Sequence, residues 1–302
     1  MLKRVSSFSA VVIAACAFPA ASQTVAPATY KSGSELVATA KSKLAANPEM
    51  GTAPVANQGV YRINVVRRGK PGPAGAHATG DAKGTEVHYI IDGAGTLVTG
   101  GKILRAQDGT ASSSSIEGGV TQHVVKGDVV VIPEGTPHWY KNVEGSITYL
   151  ETRFAVPLKA DQLAGPAVYK SGADLLATIN GKLATSPGQA DAPVDNQDSF
   201  RINVVRRGAP GNAMAHATGP AKGNEAHYII DGAATVVTGG TIVRPVGAAT
   251  GRGGAGAIIE GGVTHHLVKG DVLVIPEGTP HWYKDVEGSV TYLEMRFDTD
   301  RK

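Results

Sequence analysis

Two histidines stand directly behind rigid turns, at positions suited to binding a metal ion. His138 follows a strand-like run, a Pro-Glu-Gly turn at residues 133–135 and then Pro137. Proline and glycine restrict such a turn to few conformations, so the turn directs the imidazole to one place. His281 has the same setting in a second copy of the segment. The alternative for both is a turn histidine that caps backbone groups.

A strand-like segment upstream, residues 85–92, carries a carboxylate and an imidazole two positions apart. Successive side chains of a strand alternate between its faces, so Glu86 and His88 share one face while Val87 and Tyr89 share the other. Burying a carboxylate and an imidazole together is costly unless a partner compensates them, and a divalent metal ion does so. We predict Glu86 as a metal ligand and proton-handling catalytic residue, with a surface carboxylate as the alternative. His88 is either a further ligand or a hydrogen-bonded interior histidine.

His77, nine residues before Glu86 and ahead of a glycine-containing loop, is another candidate ligand. A loop histidine in solvent is the alternative for this residue. The second half of the chain repeats the upstream set as His216, Glu225 and His227, with the same alternatives.

The repetition extends along most of the chain. Residues 127–154 and 270–297 differ at only four of 28 positions, and earlier segments recur at an offset of 139 residues. Each unit is long enough to bury its own core, so the period indicates two domains rather than a solenoid array. We predict the domains at residues 28–157 and 167–298.

The amino end has a different character. Lys3 and Arg4 precede an apolar run at residues 10–18, and small residues follow at 20–22. This pattern predicts a signal peptide over residues 1–22, too short to span a bilayer, and hence an exported protein, periplasmic or secreted. The segment around Cys16 also resembles a bacterial lipobox, which would make the protein a lipoprotein anchored through that residue. Cys16 is the only cysteine, so neither an intrachain disulfide nor a thiolate metal site is expected.

Charge and composition argue against nucleic acid as a partner. The formal net charge is +3, no basic stripe is present, and two Trp and five Phe offer few stacking platforms. The paired arginines at 67–68 and 206–207 are predicted to lie at strand ends in solvent.

The secondary-structure pattern indicates an all-β protein. Apolar residues at helical spacing predict one helix at 32–46 and another at 171–184, each ended by a proline-containing segment. The remaining segments are short, rich in β-branched residues and separated by Gly, Pro, Asp and Asn, which is typical of an antiparallel sandwich or barrel.

The segment at residues 127–142 resembles the second motif of the cupin superfamily, G-x5-P-x-G-x2-H-x3-N, at every defined position. The copy at residues 270–285 departs only at Asp285, and residues 86–101 are similar to the latter part of the first cupin motif. This resemblance covers nearly all of the chain after the first 22 residues. It implies a bicupin: two tandem double-stranded β-helix (jelly-roll) barrels, each preceded by a short helix.

The first motif departs from the family pattern. Cupins usually place His-x-His three or four residues before the glutamate, whereas here Thr79 stands where the second histidine would be. By position, the resemblance implies that the metal ligands of the first domain are His77, Glu86 and His138, with His88 as a substitute for the missing ligand. In the second domain it supplies His216, Glu225 and His281, with His227 as the substitute. His and carboxylate ligands suit Fe, Mn, Ni, Zn or Cu, and the sequence does not choose among them.

Two classes of function remain open at this stage. The first is a metal-dependent enzyme, of oxygenase or lyase type by resemblance, acting on a small polar organic molecule. The second is a non-catalytic exported protein that binds a small molecule or a metal, which the missing ligand histidine favours. We also expect the two domains to pack as an internal pseudo-dimer, with association into a homo-oligomer left open.

Overall fold

The computed structural model describes residues 28–69, 77–78, 84–105, 114–156, 165–208, 216–217, 223–245 and 256–298. The predicted signal peptide, Cys16 and the side chains of His77 and His216 lie outside what it describes. Among the described residues, none of the helices combines the length and apolar character needed to cross a membrane.

One helix opens each domain, α1 at Gly33–Ala46 and α2 at Gly172–Leu183. Each has an extended serine as its N-cap, and the side chain of Ser171 accepts a hydrogen bond from the backbone N–H of Asp174. The helices bury a narrow apolar face and leave the rest in solvent, as their helical spacing predicts.

The remaining described elements are strands. Those of the first half are β1 (Thr29–Lys31), β2 (Met50–Asn57), β3 (Tyr61–Arg68), β4 (His77–Ala78), β5 (Thr85–Thr99), β6 (Lys102–Leu104), β7 (Ser115–Glu117), β8 (Val120–Val125), β9 (Val129–Ile132) and β10 (Pro137–Phe154). Those of the second half are β11 (Val168–Lys170), β12 (Gln189–Asn196), β13 (Phe200–Gly208), β14 (His216–Ala217), β15 (Asn224–Thr238), β16 (Thr241–Val243), β17 (Ile258–Glu260), β18 (Val263–Val268), β19 (Val272–Ile275) and β20 (Pro280–Phe297).

Two long strands organise each barrel. In the first domain β5 and β10 pair antiparallel, with β9 and β8 on the other side of β5, and β3 and then β2 on the other side of β10. The register of the pair shifts beside Gly93, where φ is +82° and a Cβ atom would stand 2.0 Å from the carbonyl oxygen of Ser146. The second domain repeats this order through β15 and β20. The prediction of two jelly-roll barrels, each preceded by a short helix, is confirmed.

The two domains exchange their first strands. β1, which precedes the first barrel in sequence, pairs with β19 of the second barrel, with Thr29 opposite Val274 and Lys31 opposite Val272. β11, which precedes the second barrel, pairs in the same way with β9 of the first. Each barrel therefore completes its sheet with a strand from the other half of the chain.

An aspartate holds each exchanged segment in place. Asp128 accepts hydrogen bonds from the backbone N–H groups of Gly172 and Val125 and from the hydroxyl of Tyr169, each at 2.9 Å. Asp271 accepts the equivalent hydrogen bonds from the backbone N–H groups of Gly33 and Val268 and from the hydroxyl of Tyr30, at 2.9, 3.0 and 3.2 Å. Both carboxylates are 2 % exposed. The Gly-Asp pair of the downstream motif thus joins the domains at the amino end of the opposite helix.

A single hydrophobic core lies between the domains. It gathers the outward-facing apolar side chains of both barrels, and the rings of Phe154 and Phe297 stack within it at 4.8 Å with an interplanar angle of 2°. Tyr89 and Tyr228 meet across the same interface with ring centroids 5.1 Å apart. The two halves pack as the expected internal pseudo-dimer, since separating them would expose this core to water.

Candidate metal centre

Strand alternation places a carboxylate and an imidazole inside each barrel. Val87 and Tyr89 of β5 point into the core between the domains, whereas Glu86 and His88 point into the barrel interior, where they are 1 % and 2 % exposed. This is the arrangement that the two-residue spacing predicts.

The turn before β10 aims the third side chain at the same point. The backbone N–H of Thr136 donates to the carbonyl of Pro133 at 3.0 Å, which closes the turn. Nδ1 of His138 lies 3.3 Å from the carbonyl oxygen of Thr136. A carbonyl can only accept, so Nδ1 carries a hydrogen and Nε2 is the ring nitrogen that faces the barrel interior.

Three donor atoms converge in the first barrel. Oε2 of Glu86 lies 3.1 Å from Nε2 of His88 and 3.4 Å from Nε2 of His138. Burial alone would raise the pKa of the Glu86 carboxyl, but hydrogen bonding and charge from His138 and His88 outweigh it and hold that pKa well below its usual range. Glu86 is therefore an ionised carboxylate between two imidazoles.

A second carboxylate completes the group, and sequence reasoning missed it. In the pairing of β5 with β10, Glu151 stands opposite His88 and Arg153 stands opposite Glu86. Directly opposed side chains of neighbouring strands are close neighbours. Ligand atoms of Glu86, His88 and Glu151 accordingly lie within 4.8 Å of one another. The alternation of residues 149, 151 and 153 shows in the sequence that these side chains share one face of a strand. The sequence does not show which strand pairs with them.

The second barrel repeats the arrangement. Oε2 of Glu225 lies 3.3 Å from Nε2 of His227 and 3.4 Å from Nε2 of His281. Glu294, the counterpart of Glu151, stands 4.0 Å from Nε2 of His227 and forms with Glu225 and His227 a group of possible ligands. Burial alone would raise the pKa of the Glu225 carboxyl, but the neighbouring His227, His281 and Arg296 together lower it.

One family model and several solved structures are similar to this chain. The Cupin family model matches residues 65–165, which include the site of the first barrel. Salicylate 1,2-dioxygenase from Pseudaminobacter salicylatoxidans has a similar structure, with a TM-score of 0.63 over 91% of this chain and 85% of that chain at 13% sequence identity. The first barrel is a cupin domain by this match, and the second barrel repeats its motif and its fold, as in a bicupin.

Two further solved structures are less similar to this chain. A Cupin 2 conserved barrel domain protein from Leptotrichia buccalis gives a TM-score of 0.49 at 11% identity, over 83% of this chain and 89% of that one. Oxalate decarboxylase from Bacillus subtilis gives 0.45 at 13% identity, over 83% and 73%. Curated protein sequences give no match. At these identities the likeness concerns the fold alone.

Arginines stand at the edge of each site of this bicupin. Arg153 forms an ion pair with Oε1 of Glu86, and Arg62 donates to Oε1 of Glu151 at 3.1 Å. In the second barrel, Arg296 lies 2.6 Å from Oε1 of Glu225. The side chains of Arg153 and Arg62 are 21% and 43% exposed, so the cationic edge is the part of the first site that faces solvent.

Below the metal ligands, tyrosines and an arginine close the barrel interior. The hydroxyl of Tyr140 lies 3.2 Å from Nδ1 of His88, and burial raises the pKa of Tyr140 well above its usual value, so the hydroxyl stays protonated. Arg68 donates to the hydroxyl of Tyr149 at 2.9 Å and is 8% exposed. The expectation that Arg68 lies in solvent is wrong, because the alternation of β3 turns it inward and its neighbour Arg67 outward. Its counterpart Arg207 likewise donates to Tyr292, at 3.0 Å.

The other histidines take separate positions. The backbone of His77 pairs with that of His138 across β4 and β10, and His216 pairs with His281 in the same way. Their side chains lie outside the described structure, and their role as ligands stays a prediction. His123 and His266, just ahead of the second motif, are exposed and pair with Glu144 and Glu287, at 2.9 and 2.7 Å.

The residues present suit a divalent metal ion. Among the described residues, the two carboxylate oxygens of Glu225 and Nε2 of His227 are buried and have no partner in hydrogen-bond geometry, although ion pairs surround them. Buried polar atoms left in this state are costly, and a cation would satisfy all three. Imidazole nitrogens with carboxylate oxygens are the donor set of Fe, Mn, Ni, Zn or Cu sites.

Proposed function

We propose that this bicupin is a metal-dependent enzyme, of oxygenase or lyase type, that acts on a small polar organic molecule. The observation that carries the proposal is the convergence of Glu86, His88 and His138, with Glu151 beside them, inside a barrel whose turn already orients His138. Its repetition around Glu225 supports two such sites in each chain.

The ligands would be the two imidazoles through Nε2 and the carboxylates of Glu86 and Glu151, with His77 as a further candidate. A metal ion bound there would supply Lewis acidity and, if redox-active, one-electron chemistry with dioxygen. For His88 to bind through Nε2, its hydrogen must move to Nδ1. The protonated hydroxyl of Tyr140 can accept from Nδ1 as readily as it donates to it, so the surrounding hydrogen bonds accommodate either tautomer.

The arginines at the solvent-facing edge favour an anionic substrate. Arg153 and Arg62 form the solvent-facing edge of the first site, and a guanidinium binds a carboxylate through two parallel hydrogen bonds. A substrate carboxylate at this edge would compete with Glu86 for Arg153 and would bring its reacting carbon towards the ligand cluster. Displacement from Arg153 would free Oε1 of Glu86 to accept a proton, while Oε2 stays beside the two imidazoles. We therefore propose a small organic acid as substrate.

Metal analysis and turnover test this proposal together. Elemental analysis of the purified protein should give about two metals per chain, one for His138→Ala and none for the double variant with His281→Ala. The matched control is His123→Ala, which removes an exposed imidazole and should change neither metal content nor turnover. Oxygen consumption and product formation are then measured on small acids, beginning with salicylate, gentisate and oxalate. Protein that binds no metal and loses nothing in the double variant would refute the proposal.

The second candidate is a non-catalytic protein that binds a metal or a small molecule. The ion pair between Arg153 and Glu86 favours it, because the arginine occupies a carboxylate oxygen that a metal ligand would otherwise offer. Stable metal binding without turnover of any acid in the panel would support this candidate over the enzyme.

We also propose that the protein is exported, on the strength of residues 1–22. Cell fractionation should find the mature chain outside the cytoplasm. Simple cleavage gives an unlipidated chain that is not attached to the membrane. A lipoprotein would remain with the membrane fraction, and the substitution Cys16→Ala would release it. Further association into a homo-oligomer is a separate proposal, which sedimentation of the purified protein would test.

A further inference from the structure

A second cavity lies between the two barrels, away from both candidate metal centres. Its volume is about 730 Å³, and both helices and strands of both domains line it. Most of the lining comes in equivalent pairs from the two halves, such as Ile91 with Ile230 and Lys126 with Lys269. The cavity therefore lies on the pseudo-twofold axis that relates the domains. Its volume falls in the range typical of small-molecule sites, which often form at domain interfaces.

The walls of the cavity are mainly apolar and aromatic. Tyr89 and Tyr228 lie at its base with their rings 5.1 Å apart and only 5 % of each residue exposed. Leu175 and Leu176 of α2 and Val37 of α1 contribute the sides. Leu176 is 43% exposed, an unusual state for a leucine that lines a concave surface. Such a surface suits the apolar body of a ligand.

The two tyrosines also offer polar groups to an occupant. Among the described residues, the hydroxyls of Tyr89 and Tyr228 make no side-chain hydrogen bond, although both residues are buried. Both tyrosines line the cavity, so an occupant can reach these hydroxyls. These hydroxyls add a polar contact inside an otherwise apolar base.

The charges that line the cavity do not cancel. Asp231 is matched by Lys269 at 4.0 Å, and Asp92 by Arg67 at 3.6 Å. Among the described residues, the other two lining cations, Lys126 and Arg206, have no carboxylate within ion-pair distance. The cavity therefore carries a surplus of positive charge.

The duplicated arginines differ in a way that makes one of them available. Arg67 donates to Thr148 and Ser146 and does not line the cavity. Arg206, its counterpart, lines the cavity, and among the described residues its guanidinium donates to Ser289 alone, at 3.1 Å, through one Nη atom. The guanidinium of Arg206 thus has further N–H groups to offer, and a fork of this kind recognises a carboxylate.

We propose that the cavity binds one small amphipathic carboxylate, with its apolar body against Tyr89 and Tyr228 and its carboxylate on Arg206. Lys126 raises the local positive potential without a direct contact. This site is independent of the metal centres, so it stands whether or not the proposed enzymatic activity is found.

Calorimetric titration with 2-naphthoate tests the proposal, with 2-naphthamide as the uncharged probe of the same shape. We expect one naphthoate per chain and roughly tenfold weaker binding of the amide, since a charged hydrogen bond contributes on that order. Arg206→Gln should weaken naphthoate binding about tenfold and leave amide binding unchanged. Arg201→Gln is the control, because it removes an exposed cation from the same strand that does not line the cavity, and it should leave both unchanged.

Two further variants keep the result interpretable. Leu176→Trp, at an already exposed position, should block binding of both probes by filling the cavity. The double variant His138→Ala with His281→Ala should retain full naphthoate binding, because the metal centres lie elsewhere. Equal effects of Arg206→Gln and Arg201→Gln, or unimpaired binding in Leu176→Trp, would overturn the proposal. Loss of binding in the histidine double variant, or no binding to the unaltered protein, would overturn it as well.

Discussion

Replacing Asp128 with alanine should destabilise the whole chain, because this one carboxylate joins the two domains. It accepts three hydrogen bonds at 2.9 Å, from the backbone N–H groups of Gly172 and Val125 and from the hydroxyl of Tyr169. Two of these donors belong to the other half of the chain. The carboxylate also lies at the amino end of α2, where the helix dipole favours a negative charge.

The magnitude follows from these contacts. A hydrogen bond within a protein contributes about 1 kcal/mol net, and an unpaired buried N–H costs at least as much. Three bonds to a carboxylate that is 2% exposed therefore predict a loss of about 3 kcal/mol in the free energy of unfolding. Asp128→Asn keeps one acceptor oxygen and should lose about half as much.

Urea denaturation followed by circular dichroism measures the effect. Because the domains share one core, we expect a single transition in the unaltered protein, which permits a two-state treatment. Glu117→Ala provides the control, since an exposed glutamate should change the free energy of unfolding by less than about 0.5 kcal/mol. Asp271→Ala should reproduce the result of Asp128→Ala, because its three partners are equivalent.

The reasoning would be refuted by an Asp128→Ala variant as stable as Glu117→Ala. It would also be refuted if Asp128→Asn cost more than the alanine variant, because the loss would then not follow the number of acceptor oxygens.

Three other outcomes are expected. Gly172→Ala should destabilise the chain by several kcal/mol, because a Cβ atom there would meet the backbone of Gly127 at 2.8 Å, and the midpoint of urea denaturation measures this; a change below about 0.5 kcal/mol would contradict the close approach. Glu151→Gln should weaken metal affinity at the first site by about 10–100-fold, as measured by competition with a chelator, if the carboxylate acts as a ligand or orients one; unchanged affinity would exclude it from the site. Burial raises the pKa of Tyr89 and Tyr228 above the ordinary value of 10.0. The neutral hydroxyls contribute fully to stability below pH 10, and this contribution is lost as the pH rises further. The melting temperature should therefore fall above pH 10, and it should fall less steeply in the variant Tyr89→Phe.

Much of the fold could be predicted from local patterns. The two helices begin and end within two residues of the predicted positions, because serine N-caps and the loss of helical spacing act over a few residues. The alternation that turns Glu86 and His88 inward is equally local. The turn that orients His138 could be predicted because proline and glycine restrict their own backbone wherever they occur.

Other parts of the site depend on which strands become neighbours. Glu151 and Arg153 lie more than 60 positions from Glu86, and only the register of β5 with β10 brings them together. The inward direction of Arg68 was missed for a related reason. Two adjacent arginines predict a segment in solvent, yet β3 lies between two other strands and turns Arg68 into the barrel. There the hydroxyl of Tyr149 and the ring of Tyr140 accommodate its charge.

The duplication, the strand alternation and the turn-bound histidines could thus be established from the chain alone, because each depends on residues close together in sequence. The exchange of β1 and β11, the contacts of Asp128 with the opposite helix and the cavity around Arg206 were decided only by the packed pair of domains. The nearly identical segments around Arg67 and Arg206 have slightly different neighbours. Arg67 therefore donates to two hydroxyl groups, whereas Arg206 keeps N–H groups available for a ligand. Such differences arise from contacts between distant segments, which no short sequence pattern specifies.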